Sequence, residues 1–145
     1  MTAGGGFLLA VLWFDLMFDV QVARHAQTEL PEPVLASIAA YYARVTTAAR
    51  PMNRLIAATM TATLAAIIVE LTRGLGPSWA LWASLVLALG PIALAGSRTL
   101  PHAVRLGRRI DDLPTQSALA RSIFREHIVC FGSISVLLAL QLTAL

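Results

Sequence analysis

Two acidic residues lie within the first apolar stretch of the sequence, at a spacing that could support chemistry. Asp15 and Asp19 are four residues apart, so a helix places them on one face with their β-carbons about 6 Å apart. A carboxylate in a membrane span costs about 2.5–3.5 kcal/mol on insertion scales, so both should turn toward the bundle interior or water. We interpret the pair as a site for a cation, a proton or a small ligand, or for acid-base work. The alternative is an ion pair with Arg54, Arg98 or Arg125.

The three histidines are the next candidates, because all of them flank apolar stretches. His25, His102 and His127, together with Asp19 or Glu126, could supply nitrogen and oxygen ligands to zinc, iron or copper. No two of the histidines are three or four residues apart, which is how one helix presents paired ligands. The alternative is that His25 and His102 are solvated side chains at the membrane interface. The metal stays unknown, and its candidate ligands are His25, His102, His127 and Asp19.

A polar stripe follows one face of the second apolar stretch. Asn53, Met60, Thr63 and Glu70 fall within about 100° of one another at helical periodicity, so they could line a cavity. The alternative is ordinary helix packing, with Glu70 paired to Arg73 three residues later. The predicted ligand-binding residues are Asp15, Asp19, Asn53, Met60, Arg98, His102, Glu126 and His127.

The elements that must position these residues are predicted to be membrane helices. Hydrophobic residues make up 57% of the 145 positions and charged residues 13%, against about 25% charged residues in a soluble domain. The mean hydropathy is +0.72. Apolar stretches at about 7–23, 52–71, 78–96 and 128–145 approach the roughly 20 residues that a membrane helix needs. The prediction is one all-α domain, residues 1–145, an integral membrane bundle of four transmembrane helices.

The arginines predict the orientation of these helices, since the sequence contains no lysine. Ten of the eleven arginines lie in the segments on one side of the predicted membrane, and only Arg73 lies on the other side. The positive-inside rule then makes 24–51 and 97–127 cytoplasmic loops and places both termini on the non-cytoplasmic side. The expected location is the cell membrane, the inner membrane in a bacterium. Because the arginines form no basic tail, nucleic acid is not a predicted partner. The ten are Arg24, Arg44, Arg50, Arg54, Arg98, Arg105, Arg108, Arg109, Arg121 and Arg125.

The predicted cytoplasmic loops are themselves expected to be partly helical. Between 34 and 50, Val34, Ile38, Tyr41 and Val45 recur at helical spacing, which is typical of an amphipathic helix at the headgroup level. This helix should lie on the membrane surface or prolong the second span. The turn at 111–114 should have helical extensions on both flanks.

The order of these parts resembles the anthrone oxygenase-like family of small four-helix membrane proteins. In that family a proline follows span three, and span four opens with an aromatic residue and an Asn-His pair. Here Leu100-Pro101-His102 and Phe124-Arg125-Glu126-His127 stand at those places, with Glu126 instead of asparagine. The resemblance covers most of the chain in layout. It implies the fold and, further, cofactor-independent oxygenation of a polyphenolic substrate near His127.

Three functions are consistent with these residues, and no motif identifies a reaction or a cofactor. The first is binding of a small hydrophobic molecule or a cation in the cytoplasmic half of the bundle, for transport or sensing. The second is an oxygenase-like membrane enzyme, with His127 and Asp19 as base and orienting group; it requires a cavity that accepts a planar ring system. The third is an accessory subunit of a larger membrane complex. This hypothesis predicts that the bundle has no internal pocket and makes a broad apolar contact with another chain. A transporter of four spans should be a homo-oligomer.

Overall fold

All regular structure in the computed structural model is helical, over the residues that it describes, 2–25 and 29–144. A 3-10 segment, Val20–His25, prolongs the first helix, and a π-helical turn, Ala95–Thr99, joins the fourth to the fifth. The prediction of an all-α fold is therefore confirmed. The helices are α1 (Thr2–Asp19), α2 (Glu32–Thr47), α3 (Arg50–Arg73), α4 (Ser78–Leu94), α5 (Leu100–Arg108) and α6 (Leu113–Thr143).

Four helical stretches are long and apolar enough to cross a membrane, as predicted. They are Thr2–His25, Arg50–Arg73, Ser78–Arg108 and Leu113–Thr143. The last two have 31 residues each and are therefore about 46 Å long, against about 30 Å for a hydrocarbon core. Their excess length forms the predicted helical extensions on both flanks of the turn that joins them.

The helix ends follow from local chemistry. Pro31 and Pro33 surround the start of α2, where a missing amide donor does no harm. Gly74 ends α3 with a left-handed backbone, φ 64°, a conformation that glycine adopts without steric penalty. Asp112 caps α6, and its carboxylate accepts a hydrogen bond from the Thr115 amide at 3.1 Å, which satisfies one of the free donors of the first turn.

The helix α2 docks onto the extensions of the long helices. Its side chains Leu35, Ile38 and Tyr42 are buried in a core cluster with Leu106 of α5 and Ile123 of α6. Of the predicted apolar face, Ile38 is buried in this cluster, whereas Val34, Tyr41 and Val45 are only partly buried against it. The predicted position of α2 at the membrane surface stays a prediction. The cluster anchors α2 directly beside the end of α1.

A second core lies among the four long helices. It contains Leu8 of α1, Ile67 of α3, Ala88 of α4 and Leu137 of α6. The central helix is α6, which packs against α1, α4 and α5, whereas α3 packs mainly against α4 and α1. The first half of α3 carries few buried side chains, and an open cavity lies between it, α1 and α2.

Candidate functional site

The centre of the candidate site is a hydrogen-bonded pair between the first and last helices. The Asp19 carboxylate, at the end of α1, is completely buried, and its Oδ2 accepts a hydrogen bond from Nδ1 of His127 at 2.6 Å. Because that bond places a proton on Nδ1, the second ring nitrogen of a neutral His127 is left as an acceptor. The pair therefore fixes both the orientation and the tautomer of the imidazole.

Two neighbouring tyrosines of α2 complete the polar network. The Tyr42 hydroxyl donates to Asp19 Oδ1 at 2.6 Å, so that carboxylate accepts one bond at each oxygen. The Tyr41 hydroxyl donates to Asp15 Oδ1 at 2.5 Å, and its ring stacks on Phe18 with the centroids 4.0 Å apart. Burial raises the pKa of both phenols far above the ordinary tyrosine value, and the adjacent aspartates add to the rise. Both hydroxyls therefore remain donors.

The imidazole of His127 stands between the two aspartates. Its Nδ1 faces Asp19, and its Nε2 lies 4.0 Å from Asp15 Oδ2. The carboxylates thus approach opposite nitrogens of one ring, an arrangement in which they do not converge on a shared ion. Among residues 2–25 and 29–144, no three metal-ligating side chains are placed to hold a metal ion.

The other two candidate metal ligands lie in different surroundings. His102 is next to Glu126, with Nδ1 3.3 Å from Oε1. At His25 it is the backbone carbonyl that is engaged, accepting a hydrogen bond from Arg121 at 3.2 Å. The structure therefore pairs each histidine with different groups.

A large cavity opens beside the pair. It has a volume of about 720 Å³ and is bounded by α1, α2, α3, the π-helical turn and His127. A smaller cavity of about 150 Å³ lies among the four long helices and shares Asp15, Thr99 and His127 with it. The walls are mainly aliphatic and aromatic, and the polar residues that line both cavities are Asp15, Thr99 and His127.

Thr99 is an unusual part of that wall. The residue is 6% exposed, lines both cavities, and its hydroxyl oxygen has no hydrogen-bond partner within the described part of the chain. It ends the π-helical turn, a local widening that is frequent at functional sites. A buried hydroxyl without a partner costs about 1–3 kcal/mol, so the group is available to whatever occupies the cavity.

No family model, curated protein or solved structure matches this chain. The function of the chain is therefore inferred from the geometry of the network and the two cavities. The sequence-predicted residues divide into two groups in the structure. Asp15, Asp19 and His127 form the network, and Asn53 and Met60 line the large cavity, where the Asn53 side chain also donates to the Val45 carbonyl at 2.8 Å.

The second group surrounds Glu126 and faces away from the cavity. The buried Glu126 accepts a hydrogen bond from Ser122 at 2.9 Å, and Arg98 Nε lies 3.5 Å from the same carboxylate oxygen. With His102 these residues form a polar contact between α6 and the π-turn side of the bundle, and none of the three predicted residues lines either cavity. Arg98 was one of three arginines considered as ion-pair partners for the aspartates, but it is paired with Glu126 instead.

Sequence reasoning missed the site roles of Tyr41, Tyr42 and Thr99. Tyr41 was assigned to the apolar face of an amphipathic helix, without a prediction of what that face contacts, and Tyr42 was given no role. The sequence did contain a signal for them. Two consecutive tyrosines follow a span that carries two aspartates one helical turn apart, and buried carboxylates require hydrogen-bond donors. Thr99 carried no such signal.

The network predicts an abnormal alkaline titration. The chain has two tyrosines, both hydrogen-bonded to aspartates, and an unperturbed tyrosine ionises near pH 10. The folded protein should therefore show almost no tyrosinate absorbance as the pH passes that value. Since the unfolded chain then loses protons that the folded state retains, stability should fall with rising pH above about 10.

Absorbance titration of the purified protein in detergent measures this directly, with the denatured protein as the reference. Simple ionisation of both tyrosines near pH 10 in protein that remains folded would exclude the buried network.

Proposed function

We propose that this chain binds a small, largely apolar molecule in the large cavity, with Asp15 and His127 as the groups that orient it. The observation that carries the proposal is a cavity of about 720 Å³ next to the hydrogen-bonded Asp19 and His127. Small-molecule sites have volumes of about 300–1,000 Å³, apolar walls and a few placed polar groups. The presence of this cavity also favours ligand binding over an accessory subunit role, for which no pocket was expected.

An organic molecule fits this site better than a bare metal ion. The Asp19 oxygens already accept hydrogen bonds from Tyr42 and His127, and Asp15 lies at the opposite ring nitrogen. A metal ion would have to break this network to gain two carboxylates. A molecule in the cavity would need to contact only Asp15, Nε2 of His127 and the Thr99 hydroxyl.

The proposal includes the orientation in the membrane. Ten of the eleven arginines belong to the side that holds α2 and the turn between the last two long helices, so this side is cytoplasmic and the network lies in the cytoplasmic half. Both Thr2 and Thr143 then lie on the outer side of a bacterial inner membrane, with α2 at the cytoplasmic interface. Single cysteines at these positions, in a Cys130→Ser background, should both react with an impermeant maleimide added to intact cells; reaction of only one contradicts the orientation.

Native mass spectrometry of detergent-purified protein tests the proposed binding. The protein should retain a small molecule or take up triphenylmethanol, a neutral aromatic probe. Ala95 lines both cavities, so Ala95→Phe should fill the site and abolish binding. Ala93, two residues earlier in α4, is exposed, and Ala93→Phe adds the same bulk outside the cavity. Equal binding by the two variants would refute the proposal, and the same spectra give the expected homo-oligomeric state.

A second candidate function is general-base catalysis of the oxygenase-like kind. It is favoured by the 2.6 Å bond between Asp19 and His127, which leaves Nε2 directed toward the cavity side to accept a proton from a bound phenol. The cavity is also large enough for a planar ring system. Oxygen uptake with 1,8-dihydroxyanthrone as the polyphenolic substrate tests it: wild type should consume oxygen and His127→Gln should not, and absence of uptake by the wild type removes this candidate.

A further inference from the structure

We infer that the ligand of the large cavity is a lipophilic organic cation, with Asp15 as its counter-ion. The inference rests on the proposed function, because it specifies the charge of the molecule that the cavity binds. It is carried by three observations: the balance of charge along the wall, the aromatic rings beside Asp15, and the hydroxyl of Thr99.

The wall of the cavity has an excess of negative charge. Among its described lining residues, Asp15 is the only carboxylic acid and His127 the only basic side chain, and Asp19 stands directly behind His127. With both carboxylates ionised, the site is negative by two charges when the imidazole is neutral and by one when it is protonated. The described wall contains no arginine. An anionic ligand would therefore find no arginine to pair with there.

Asp15 is the carboxylate that remains available. Asp19 has no exposed surface and accepts a bond at each oxygen. Asp15 lines both cavities, accepts a bond only from Tyr41 among the described residues, and keeps Oδ2 4.0 Å from the nearest imidazole nitrogen. A carboxylate in an apolar cavity is stabilised by an opposite charge at close range. The nearest basic group of the protein is the imidazole of His127, 4.0 Å away. A cationic ligand in contact with Asp15 would supply the missing positive charge.

Aromatic rings line the same cavity as this carboxylate. Phe14, Phe18 and Tyr41 line the large cavity with Asp15, and the last two rings stack 4.0 Å apart. The negative face of an aromatic ring attracts ammonium and similar cations, most strongly where water is excluded. Most of the remaining wall is aliphatic, with Thr46 and Asn53 among its polar residues. Together they fit a cation whose substituents are apolar.

The Thr99 hydroxyl is independent evidence of an occupant. It is buried, lines both cavities beside Asp15 and has no partner within the described residues. A hydroxyl oxygen offers two lone pairs, so it can direct its negative end toward a cationic centre held by Asp15. A purely hydrocarbon occupant would leave it unsatisfied.

Three probes of similar shape test the charge of the ligand: tetraphenylphosphonium, tetraphenylborate and neutral triphenylmethanol. Equilibrium dialysis of the full-length protein in a non-ionic detergent gives their affinities, and specific binding is the component lost in Ala95→Phe. Specific binding of the cation should be about tenfold tighter than that of triphenylmethanol, from one ion pair in a partly wet site, and specific binding of the anion should be undetectable.

Two isosteric variants locate the charge. Asp15→Asn keeps an acceptor for Tyr41 and should weaken binding of the cation about tenfold, a clearly larger loss than for triphenylmethanol, which forms no ion pair with Asp15. Glu70→Gln removes the same charge from a residue that lines neither cavity and should leave both affinities within about twofold of wild type. If Asp15→Asn does not fold, the comparison of the three probes on the wild type still decides the inference.

The outcomes separate the inference from the function beneath it. Specific binding of triphenylmethanol without a preference for the cation, or equal binding of the anion, overturns the inference and leaves the proposed function standing. A cation preference that Asp15→Asn does not reduce also overturns it. If Ala95→Phe changes the binding of none of the probes, the proposed function fails and the inference fails with it.

Discussion

Replacing Asp19 by alanine is expected to destabilise the folded protein by about 3–5 kcal/mol, the usual effect of removing one member of a buried charged pair. The carboxylate is completely buried and accepts hydrogen bonds from Tyr42 and His127, both at 2.6 Å. Alanine would leave both donors inside the protein without acceptors and would create a small void. Thermal unfolding in detergent, followed by circular dichroism, measures the loss.

Asp112 provides the matched control for that substitution. It is an exposed aspartate whose carboxylate caps α6, so Asp112→Ala should cost only about 1 kcal/mol. Asp19→Ala protein that unfolds at the same temperature as Asp112→Ala protein would show that the buried network contributes little to stability.

The conservative variant Asp19→Asn separates structure from chemistry. Asparagine keeps the shape of the side chain, but one of its two polar atoms is an NH2 donor instead of an acceptor. That donor would face the Tyr42 hydroxyl or His127 Nδ1, both of which donate to Asp19. His127 can relieve this conflict by moving its proton from Nδ1 to Nε2, after which Nε2 no longer accepts a proton from a ligand. Nitrogen NMR of histidine-labelled protein should show that change of tautomer in one of the three histidines; an unchanged spectrum would contradict the role given to Asp19.

Much of the architecture could be predicted because lipid imposes it. Apolar stretches of sufficient length and terminating residues such as Gly74 and Asp112 determine the four long helices, since backbone groups in a bilayer must pair within a helix. The same physics predicted that Asp15 and Asp19 would not face lipid. Asp19 is indeed completely buried, and its partners come from other helices.

Partner identity depended on rotations between helices, and hydropathy does not encode them. Glu126 and His127 were grouped into one predicted binding set, although adjacent residues on a helix point about 100° apart. They accordingly serve two different clusters, Glu126 with Arg98 and His127 with Asp19. That separation was contained in the sequence, whereas the cavity was not, because it depends on how far the first half of α3 stands from α1 and α2.

The docking of α2 was the other unpredicted feature, and it depends on one small residue. Gly107 of α5 lies so close to α2 that a β-carbon at this position would be 2.8 Å from the backbone nitrogen of Ala43 and 3.1 Å from the carbonyl carbon of Tyr42. Backbone atoms cannot move aside as a side-chain end can. The close contact between α5 and α2 therefore requires glycine at this position. Because that contact holds α2 in place, the positions of both tyrosines also depend on Gly107.

Gly107→Ala should consequently push α2 away from α5 and destabilise the protein by about 1–3 kcal/mol, the usual effect of overpacking. Gly90→Ala is the matched control, because a β-carbon there meets nothing within 4 Å, and alanine in mid-helix is favoured over glycine by about 0.5–1 kcal/mol. Thermal unfolding should therefore shift in opposite directions in the two variants.

The tyrosine titration shows whether the displacement reaches the site. If α2 moves, Tyr42 separates from Asp19 and water enters, so in Gly107→Ala protein the phenols should ionise closer to pH 10 than in wild type. In Gly90→Ala protein the titration should not change. A Gly107→Ala variant with wild-type stability and titration would mean that α2 and α5 are not in the close contact on which the network depends, and the positions of Tyr41 and Tyr42 beside the aspartates would have to be abandoned with it.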